Sequence, residues 1–502
     1  MASTGLGPIG CATAPRGRFI DDPFTLGIAS GDPLPHGVVL WTRLAPLPDA
    51  DDGGMPRTAA PVRWQVANDE GFRHIVREGV ETADPVWAHS VHVEVGGLTP
   101  GRSYFYRFIA GGVASPTGRT HTAPAPGTLP TSLRIAQVGC QNFEAGFYTA
   151  YRHIADRDFD LVVHTGDYIY EGRARHQRDG LVRWHSNETC RTLDEYRRRY
   201  ALYKADPDLQ AAHAAHPFAL VWDDHEVANN WAGAVDGRGR TGDAFTARKA
   251  AAFRAWWEHM PVRRTSLPTG AQIRIYRGLD FGGLARLSLC DTRQYRTPQP
   301  CGGKAVPRCP GDGDTTAQML GIEQERWLGN RLARTPARWN VIVQQVPMAQ
   351  LDRDRDPDIA RYAMDKWDGY RVARRRLLEH IATTGVGGPV ILAGDIHRHL
   401  ASDLRADFDR PETPVIASEF VNTSISSRGD GKGASRTMTA WQRDNPHIRF
   451  ALDSRGYVRH TVSARSWRAD FQALDYVSRR GAPEWTARSF VLEAGHKTLQ
   501  TS

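Results

Sequence analysis

Asp160-Leu-Val-Val-His164, followed by Thr165 and then Gly166-Asp167-Tyr168-Ile169-Tyr170, is the stretch on which the reading of the fold turns. A short apolar strand runs into a glycine, and a carboxylate and a phenol follow at once. The same arrangement recurs along the chain. Arg134-Ile-Ala-Gln-Val-Gly139 leads to Cys140-Gln141-Asn142, Phe218-Ala-Leu-Val-Trp222 to Asp223-Asp224-His225-Glu226, and Val390-Ile-Leu392 to Gly394-Asp395-Ile396-His397. Ala145 to Ala155 has helical spacing, and further helical stretches separate the apolar strands at Ala285-Arg-Leu-Ser-Leu-Cys290 and Val341-Ile-Val343. This is the pattern of an α/β domain, in which reactive groups gather beyond the carboxyl ends of strands. One strand ending in Asp or His means little. Four in order along one domain are not chance.

Before this domain the rhythm differs. Between residue 24 and about 122, Gly37-Val-Val-Leu-Trp-Thr42, Val62-Arg-Trp-Gln-Val66, Val91-His-Val-Glu-Val95 and Ser103-Tyr-Phe-Tyr-Arg-Phe-Ile109 alternate or run apolar between Asp, Gly and Pro turns. Leu98-Thr-Pro-Gly101 ahead of Tyr104-Phe-Tyr106 resembles the turn and strand of a fibronectin-type sandwich, and no chemistry is read there. Ala123-Pro-Ala-Pro-Gly-Thr-Leu-Pro130 has the composition of a linker. The expected organisation is a tail over 1–22, a β-sandwich domain over 23–122, a linker over 123–130 and a catalytic domain over 131–502.

The 502 residues carry 64 Lys and Arg against 56 Asp and Glu, a net charge of +8, and only six of the basic residues are Lys. Charged residues at 24% and hydrophobic ones at 40% exclude a disordered chain. No apolar run approaches the ~18 residues of a membrane span. The diffuse positive charge is a weak reason to expect nucleic acid and fits attraction to anionic substrates at least as well. Six cysteines are too few to staple the chain. Cys301 and Cys309 flank a segment where a loop closes a disulfide if the protein is exported, and leave two free thiols otherwise. Met1-Ala-Ser-Thr-Gly-Leu-Gly-Pro has neither a basic region nor an apolar stretch, so no signal peptide is read. Gly10-Cys11-Ala12 lacks the hydrophobic region that a lipoprotein cleavage box needs.

The order of the strand ends resembles the calcineurin-like and purple acid phosphatase superfamily of dinuclear metallophosphoesterases. It is most similar to the PhoD-like branch of alkaline phosphatases and phosphodiesterases. The resemblance spans nearly the whole chain, through Phe24-Thr-Leu-Gly-Ile-Ala-Ser-Gly-Asp-Pro33, Val39-Leu-Trp-Thr-Arg43, Trp222-Asp-Asp-His-Glu-Val227, Asp291-Thr-Arg-Gln-Tyr295, Val346-Pro-Met348 and Trp367-Asp-Gly-Tyr370. It implies an α/β fold of the αββα kind, a metallophosphoesterase β-sandwich flanked by helices, preceded by the small all-β fibronectin-like domain. It also implies an extracellular protein, its signal peptide not present in this chain.

In the superfamily, Gly-Asp-x-x-Tyr supplies a bridging carboxylate and a phenolate to ferric iron, here Asp167 and Tyr170. Cys140 stands where a carboxylate usually precedes them. Thiolate, phenolate, carboxylate and the imidazole of His397 suit Fe(III), which favours anionic ligands. Asp224 falls at the second-metal position, and Asp395 replaces one imidazole of Gly-His-x-His. Val343-Gln-Gln-Val-Pro347 holds no His where the superfamily has one. Oxygens from Asp167, Asp224 and Asp395 suit a hard cation. The implied cofactors are Fe(III) and one or more Ca²⁺ ions, with Zn, Mn or Mg as the alternative second metal.

Such a centre implies attack by a metal-activated hydroxide in line with the leaving alkoxide. His225, next to Asp224, is the expected hydrogen-bond donor to the phosphoryl or leaving oxygen. Arg293 or Arg398 is the expected fork on phosphate oxygens, against a surface salt bridge as the plainer reading. The implied activity is hydrolysis of phosphoric esters, chiefly diesters, with some monoesterase activity. Phospholipids, teichoic acids and nucleotidic diesters are the implied substrates, and certain secreted phospholipases D look like members of the branch. An alkaline phosphomonoesterase is the alternative, and a non-catalytic cell-wall or lipid-binding module a remote one. The chain is expected to be a monomer with at most peripheral membrane contact and no stable nucleic-acid binding.

Other signals read as structure. Gly237-Arg-Gly-Arg-Thr-Gly242 matches G-x-G-x-x-G but follows no strand, so it is a loop. Asp352, Asp354, Asp356 and Asp358 alternate like a calcium loop, yet Pro357 and Ala363 occupy the positions needing Gly and Glu. His213 and His216 read as a helix-surface pair, Tyr196-Arg-Arg-Arg-Tyr200 as an exposed helix face, His399 as a solvated loop residue and Cys290 as core. Trp467, Phe471, Tyr476, Arg479 and Arg480, in the final segment from Tyr457, are candidates for a lid.

Overall fold

The computed structural model describes residues 21–174, 180–333 and 335–502. Most of the expected N-terminal tail, with Cys11, therefore lies outside the described residues. The architecture is a small N-terminal sheet domain followed by a larger domain of mixed α/β sheet.

In the N-terminal part, Ile28–Leu34, Gly37–Arg43 and Ser90–Val95 pair antiparallel. A second layer holds Ala60–Ala67, Ile75–Ala83, Ser103–Ala110 and Gly118–His121. Period-two alternation closes the two layers on each other: Tyr104, Tyr106 and Phe108 are buried on one, against Val38, Leu40, Val91 and Val93 on the other. The first layer continues into the larger domain, because Ser30 and Gly31 pair in parallel with Pro217 and Phe218. Gly31 is required there: a Cβ would lie 2.2 Å from the Pro261 carbonyl oxygen. Next to it, Asp32 accepts Arg277 Nη2 at 2.6 Å, a buried ion pair across the same junction.

The larger domain is built on two parallel sets of strands. Leu133–Val138, Leu161–His164 and Pro217–Leu220 form the first. Ala285–Leu289, Trp339–Val343, Pro389–Ala393 and Val415–Val421 form the second. Both are covered on their faces, which is why Leu161–Val163 and Pro389–Ala393 read as unbroken apolar runs. The strand Ile448–Val462 joins the sets, pairing through its first residues with His399–Arg405 and through its last with Leu133–Val138 and Ser466–Leu474. Gln137 adds a polar tie: its Nε2 donates to the carbonyls of Ala393 at 2.8 Å and Phe420 at 3.1 Å. The helix Arg371–Thr384 buries Ala373, Leu377, Leu378 and Ile381, a 3.6-residue stripe, against Leu328, Ile342 and Ile391.

Four peripheral expectations are corrected. In the final segment Ser466–Leu474 and Glu484–Glu493 extend the sheet, so Trp467 and Phe471 lie in its core rather than in a lid. His213 and His216 are buried, held by the Tyr168 hydroxyl at 2.8 Å and the Ile154 carbonyl at 2.9 Å. Tyr196, Arg199 and Tyr200 are buried too, and Arg199 donates to the carbonyls of Tyr170, Gly172 and Glu188. His399 opens a strand, fully buried, bonded to the Gln472 carbonyl at 3.1 Å and the Thr423 N–H at 3.2 Å. His213, His216, His399, Tyr196 and Arg199 are polar side chains that folding turns inward to a backbone or hydroxyl partner. Cys290 is core, and Cys301 and Cys309 form a disulfide. No helix among the described residues is long and apolar enough to cross a membrane.

Candidate metal centre

Asp167, Asp224, Asp395 and His397 line one polar pocket of about 230 Å³ beyond the carboxyl ends of both strand sets, and Cys140 and Tyr170 lie against Asp167 and His397. Cys140 follows Leu133–Val138, Asp167 follows Leu161–His164, Asp224 follows Pro217–Leu220, and Asp395 and His397 follow Pro389–Ala393. Three groups of donors have ligand atoms within 4.8 Å of one another: Cys140, Asp167 and His397; Asp167, Asp224 and His225; Asp223, Asp224 and Asp395. Asp167 belongs to the first two and Asp224 to the last two, so the groups overlap as adjacent cation sites would.

Backbone strain gathers here. Eleven described non-glycine residues have positive φ, and six of them are Cys140, Asp167, Asn230, Asp395, His397 and Arg428. Such conformations cost about 1–3 kcal/mol each and persist only where the surroundings impose them. The restraints are visible. Cys140 N donates to the Gly166 carbonyl at 3.0 Å, and its carbonyl accepts Ser427 Oγ at 2.7 Å. Glu226 accepts the N–H groups of Asp167, Tyr168 and Asp223 at 3.1, 2.6 and 2.9 Å. Arg455 donates to the His397 carbonyl at 2.8 Å.

The side chains form a continuous network. The Tyr170 hydroxyl lies 2.8 Å from Asp167 Oδ2, 3.0 Å from His397 Nε2 and 2.7 Å from Ser427 Oγ. Its ring stacks on His225 at 4.2 Å. His225 Nδ1 is 2.7 Å from Glu171 Oε2. Burial raises the pKa values of Cys140, Tyr170 and Asp167, and neighbouring carboxylates push the same way. Burial also opposes ionisation of Asp224, but His225 and Arg293 hold its carboxyl below the usual range. Burial disfavours the charged form of His225, yet Asp224, Glu171 and Asp167 hold it protonated well above the usual histidine range.

Arg293 is placed differently from its expected role. It is fully buried behind the carboxylates, with Nε 2.5 Å from Asp223 and Nη1 3.0 Å from Asp365. Arg398 donates to the Ile396 carbonyl and lies 3.6 Å from Asp453. Gln345, where a ligating His was expected, is turned into the scaffold: Oε1 accepts from Thr292 N at 2.8 Å and Nε2 donates to the Cys290 carbonyl at 2.8 Å.

The donors suit metals on their own chemistry. Asp223 Oδ2 is buried without a hydrogen-bond partner, and a thiol, a phenol, an imidazole and a carboxylate meet around Tyr170. Buried anionic groups this dense need cationic partners. Lys366, 2.5 Å from Asp395 and 2.9 Å from Asp365, and Arg293 supply part of that charge. Among the described residues, no Lys or Arg side chain hydrogen-bonds the Cys140 thiol, the Asp167 carboxylate or the Tyr170 hydroxyl.

Comparison with known proteins agrees with the geometry. The model of the PhoD-like phosphatase family matches residues 135–471, and that of the PhoD-like phosphatase N-terminal domain matches residues 10–124. The chain belongs to the PhoD-like phosphatase family. Alkaline phosphatase D of Bacillus subtilis (strain 168) is 45% identical over 485 residues, 96% of this chain and 83% of that protein. A solved structure described as that of PhoD superposes with a TM-score of 0.94 at 44% identity, covering 97% of this chain and 93% of the other.

In this PhoD-like chain the sequence reading missed several residues at the site. Glu226 was in view inside its motif but carried no assignment. Asp365 and Lys366 directly precede the Trp367-Asp-Gly-Tyr370 motif, and that adjacency was the available signal. Asn230, Arg353 and Arg428 line the pocket from loops whose local sequence carries no mark of it.

Proposed function

We propose that the protein hydrolyses phosphodiesters, with phosphomonoesterase activity, at a centre of Fe(III) and Ca²⁺. Cys140, Asp167, Tyr170 and His397 would hold the iron, and Asp167, Asp224 and Asp395 one or more calcium ions; Zn, Mn or Mg is the alternative second metal. The observation that carries this reading is the overlap at Asp167 of a mixed sulfur, nitrogen and oxygen donor group with a carboxylate-rich one. When bound, the metals supply a hydroxide near neutral pH and neutralise phosphoryl oxygens. His225, its Nδ1 engaged by Glu171, offers its other ring nitrogen to the pocket as donor to the phosphoryl or leaving oxygen. Arg293 holds Asp223 and Asp365 in place from behind and acts as a positioning residue. Ser427 Oγ donates to the Cys140 carbonyl and lies 2.7 Å from the Tyr170 hydroxyl, which ties the two together.

Narrowness supports reading the ester by its phosphate and its small polar substituent. Ala305, Ala363 and Ile396 are the apolar lining residues, too few to enclose an acyl chain. A phospholipid would thus present its headgroup and leave its chains outside; teichoic acid and nucleotidic diesters are the other candidate substrates. We take the fold as αββα, with boundaries at 23–122, 123–130 and 131–502, and the protein as an extracellular monomer. The Cys301–Cys309 disulfide supports an oxidising compartment. Rates on bis-p-nitrophenyl phosphate, p-nitrophenyl phosphate and phosphatidylcholine at several Ca²⁺ concentrations test the reading. Diester turnover that depends on Ca²⁺ is expected. Turnover of the monoester alone would favour an alkaline phosphomonoesterase, and none on any substrate would favour a binding module.

A further inference from the structure

Among the described residues, two guanidinium groups on the wall of this pocket have no carboxylate partner. Among the described residues, the Arg353 side chain makes no hydrogen bond or ion pair; its guanidinium lies 5.7 Å from the centre of the Trp441 ring. Its main chain is nevertheless fixed on both sides. The N–H donates to the Arg361 carbonyl at 2.9 Å, and the carbonyl accepts Trp441 Nε1 at 3.3 Å. Among the described residues, Arg428 makes a single side-chain bond, from Nε to His397 Nδ1 at 3.1 Å. Its backbone is held at φ 72, a conformation unfavourable for arginine, between Ser427, which bonds Cys140 and Tyr170, and Gly429.

Neighbouring arginines behave otherwise. Arg293, Arg296, Arg374 and Arg455 each pair with an aspartate. Lys366 is taken by Asp365 and Asp395. Arg353 and Arg428 are thus like charges brought to one pocket wall by ordered backbone and, in Arg428, by a strained one. Like charges so placed repel until an anion comes between them. The metal centre already answers the charge of the scissile phosphoryl group, so this pair is in excess of what a simple ester requires.

We propose that Arg353 and Arg428 form a subsite for a second anionic group of the substrate, a phosphate or carboxylate carried on a short linker beyond the scissile ester. The proposal rests on the reading of the pocket as a phosphodiesterase site and narrows its substrate class to diesters whose second alcohol is itself charged. A guanidinium fork is suited to such a group, and its discrimination appears in binding.

A matched pair of substrates tests it: p-nitrophenyl ethyl phosphate and p-nitrophenyl 2-phosphonoethyl phosphate, which share a leaving group and differ in the second charge. The wild type is expected to favour the phosphonoethyl ester by about tenfold or more in kcat/KM, as a charge-assisted hydrogen bond contributes. The difference should reside in KM. Arg353→Gln should bring the ratio close to unity, and Arg353→Lys should keep part of it. Equal kcat/KM for the two esters in the wild type, or an unchanged ratio in Arg353→Gln, overturns the subsite. Turnover of neither ester would instead defeat the phosphodiesterase reading. Titration calorimetry with ethylene-1,2-bisphosphonate then decides the subsite alone: affinity about tenfold weaker in Arg353→Gln upholds it, and equal affinity overturns it.

Discussion

Glu226 accepts the backbone N–H of Asp167 at 3.1 Å, and with its two oxygens also those of Tyr168 and Asp223. One buried carboxylate therefore sets the ends of two strands against each other and fixes Asp167 at positive φ. Burial raises the Glu226 pKa to about 8, with the N–H groups of Tyr168 and Asp223 working against it. Glu226→Ala leaves three buried donors without an acceptor, each costing about 1–3 kcal/mol. We expect a loss of roughly 3–5 kcal/mol in urea unfolding, with Glu226→Gln losing distinctly less. A loss below about 1 kcal/mol in the alanine variant would contradict this role.

Arg293 is the second scaffold residue. Replacing it by Met strands Asp223 in the interior, while Asp365 keeps Arg296 and Lys366, at a cost of about 3–5 kcal/mol. Arg293→Lys cannot span both carboxylates and should recover little. Denaturant midpoints of the two variants check this; near-wild-type stability in either would return Arg293 to the role of a free phosphate clamp.

Cys140 and Cys290 are both buried, and only Cys140 faces other donor groups. Cys140→Ala should lose iron, visible absorption and activity together. Cys290→Ala should keep all three and cost only its packing, about 1 kcal/mol. Iron retained in full by Cys140→Ala would mean that the thiol is structural.

Histidines buried away from the pocket make stability fall in acid. Burial depresses His92, His216 and His447 to about 4 and His460 to about 3 from 6.5. Their folded values lie below the unfolded one, so their contribution is complete above pH 6.5 and falls as pH drops towards 4. The unfolded chain takes up protons there that the native chain excludes, at about 1.4 kcal/mol per group per pH unit. Urea midpoints should be level from pH 7.5 to 6.5 and then fall steeply. His447→Gln, which keeps a donor for the Gln350 carbonyl, should fall less steeply. A level profile down to pH 5 would contradict the assignment.

The parallel strands were legible in the sequence because both faces are covered: Leu161–His164 and Pro389–Ala393 carry nothing polar before their carboxyl ends except His164. Their carboxyl ends gave Cys140, Asp167, Asp224, Asp395 and His397 for the same reason. The strand Ile448–Val462 was not read, because Asp453, Arg455 and His460 interrupt it. Those residues are buried for their partners: Arg455 for His397 and Ser427, His460 for Gln137. His213, His216 and His399 were misjudged on the same principle, since a sequence shows a polar residue but not the acceptor that folding brings to it. Arg353 and Arg428 were beyond reach: one depends on Trp441 and the other on a positive φ, and neither leaves a local pattern.

The most direct test of the metal centre is hydrolysis of bis-p-nitrophenyl phosphate, with iron content determined on the same samples, before and after treatment with a calcium-selective chelator. Oxygen-rich sites hold calcium reversibly, whereas a thiolate and a phenolate would hold ferric iron firmly. We predict that chelation abolishes turnover while iron stays bound, and that added Ca²⁺ restores the rate where Zn²⁺ does not. Full activity in the chelated protein, or recovery with Zn²⁺ alone, would contradict the account.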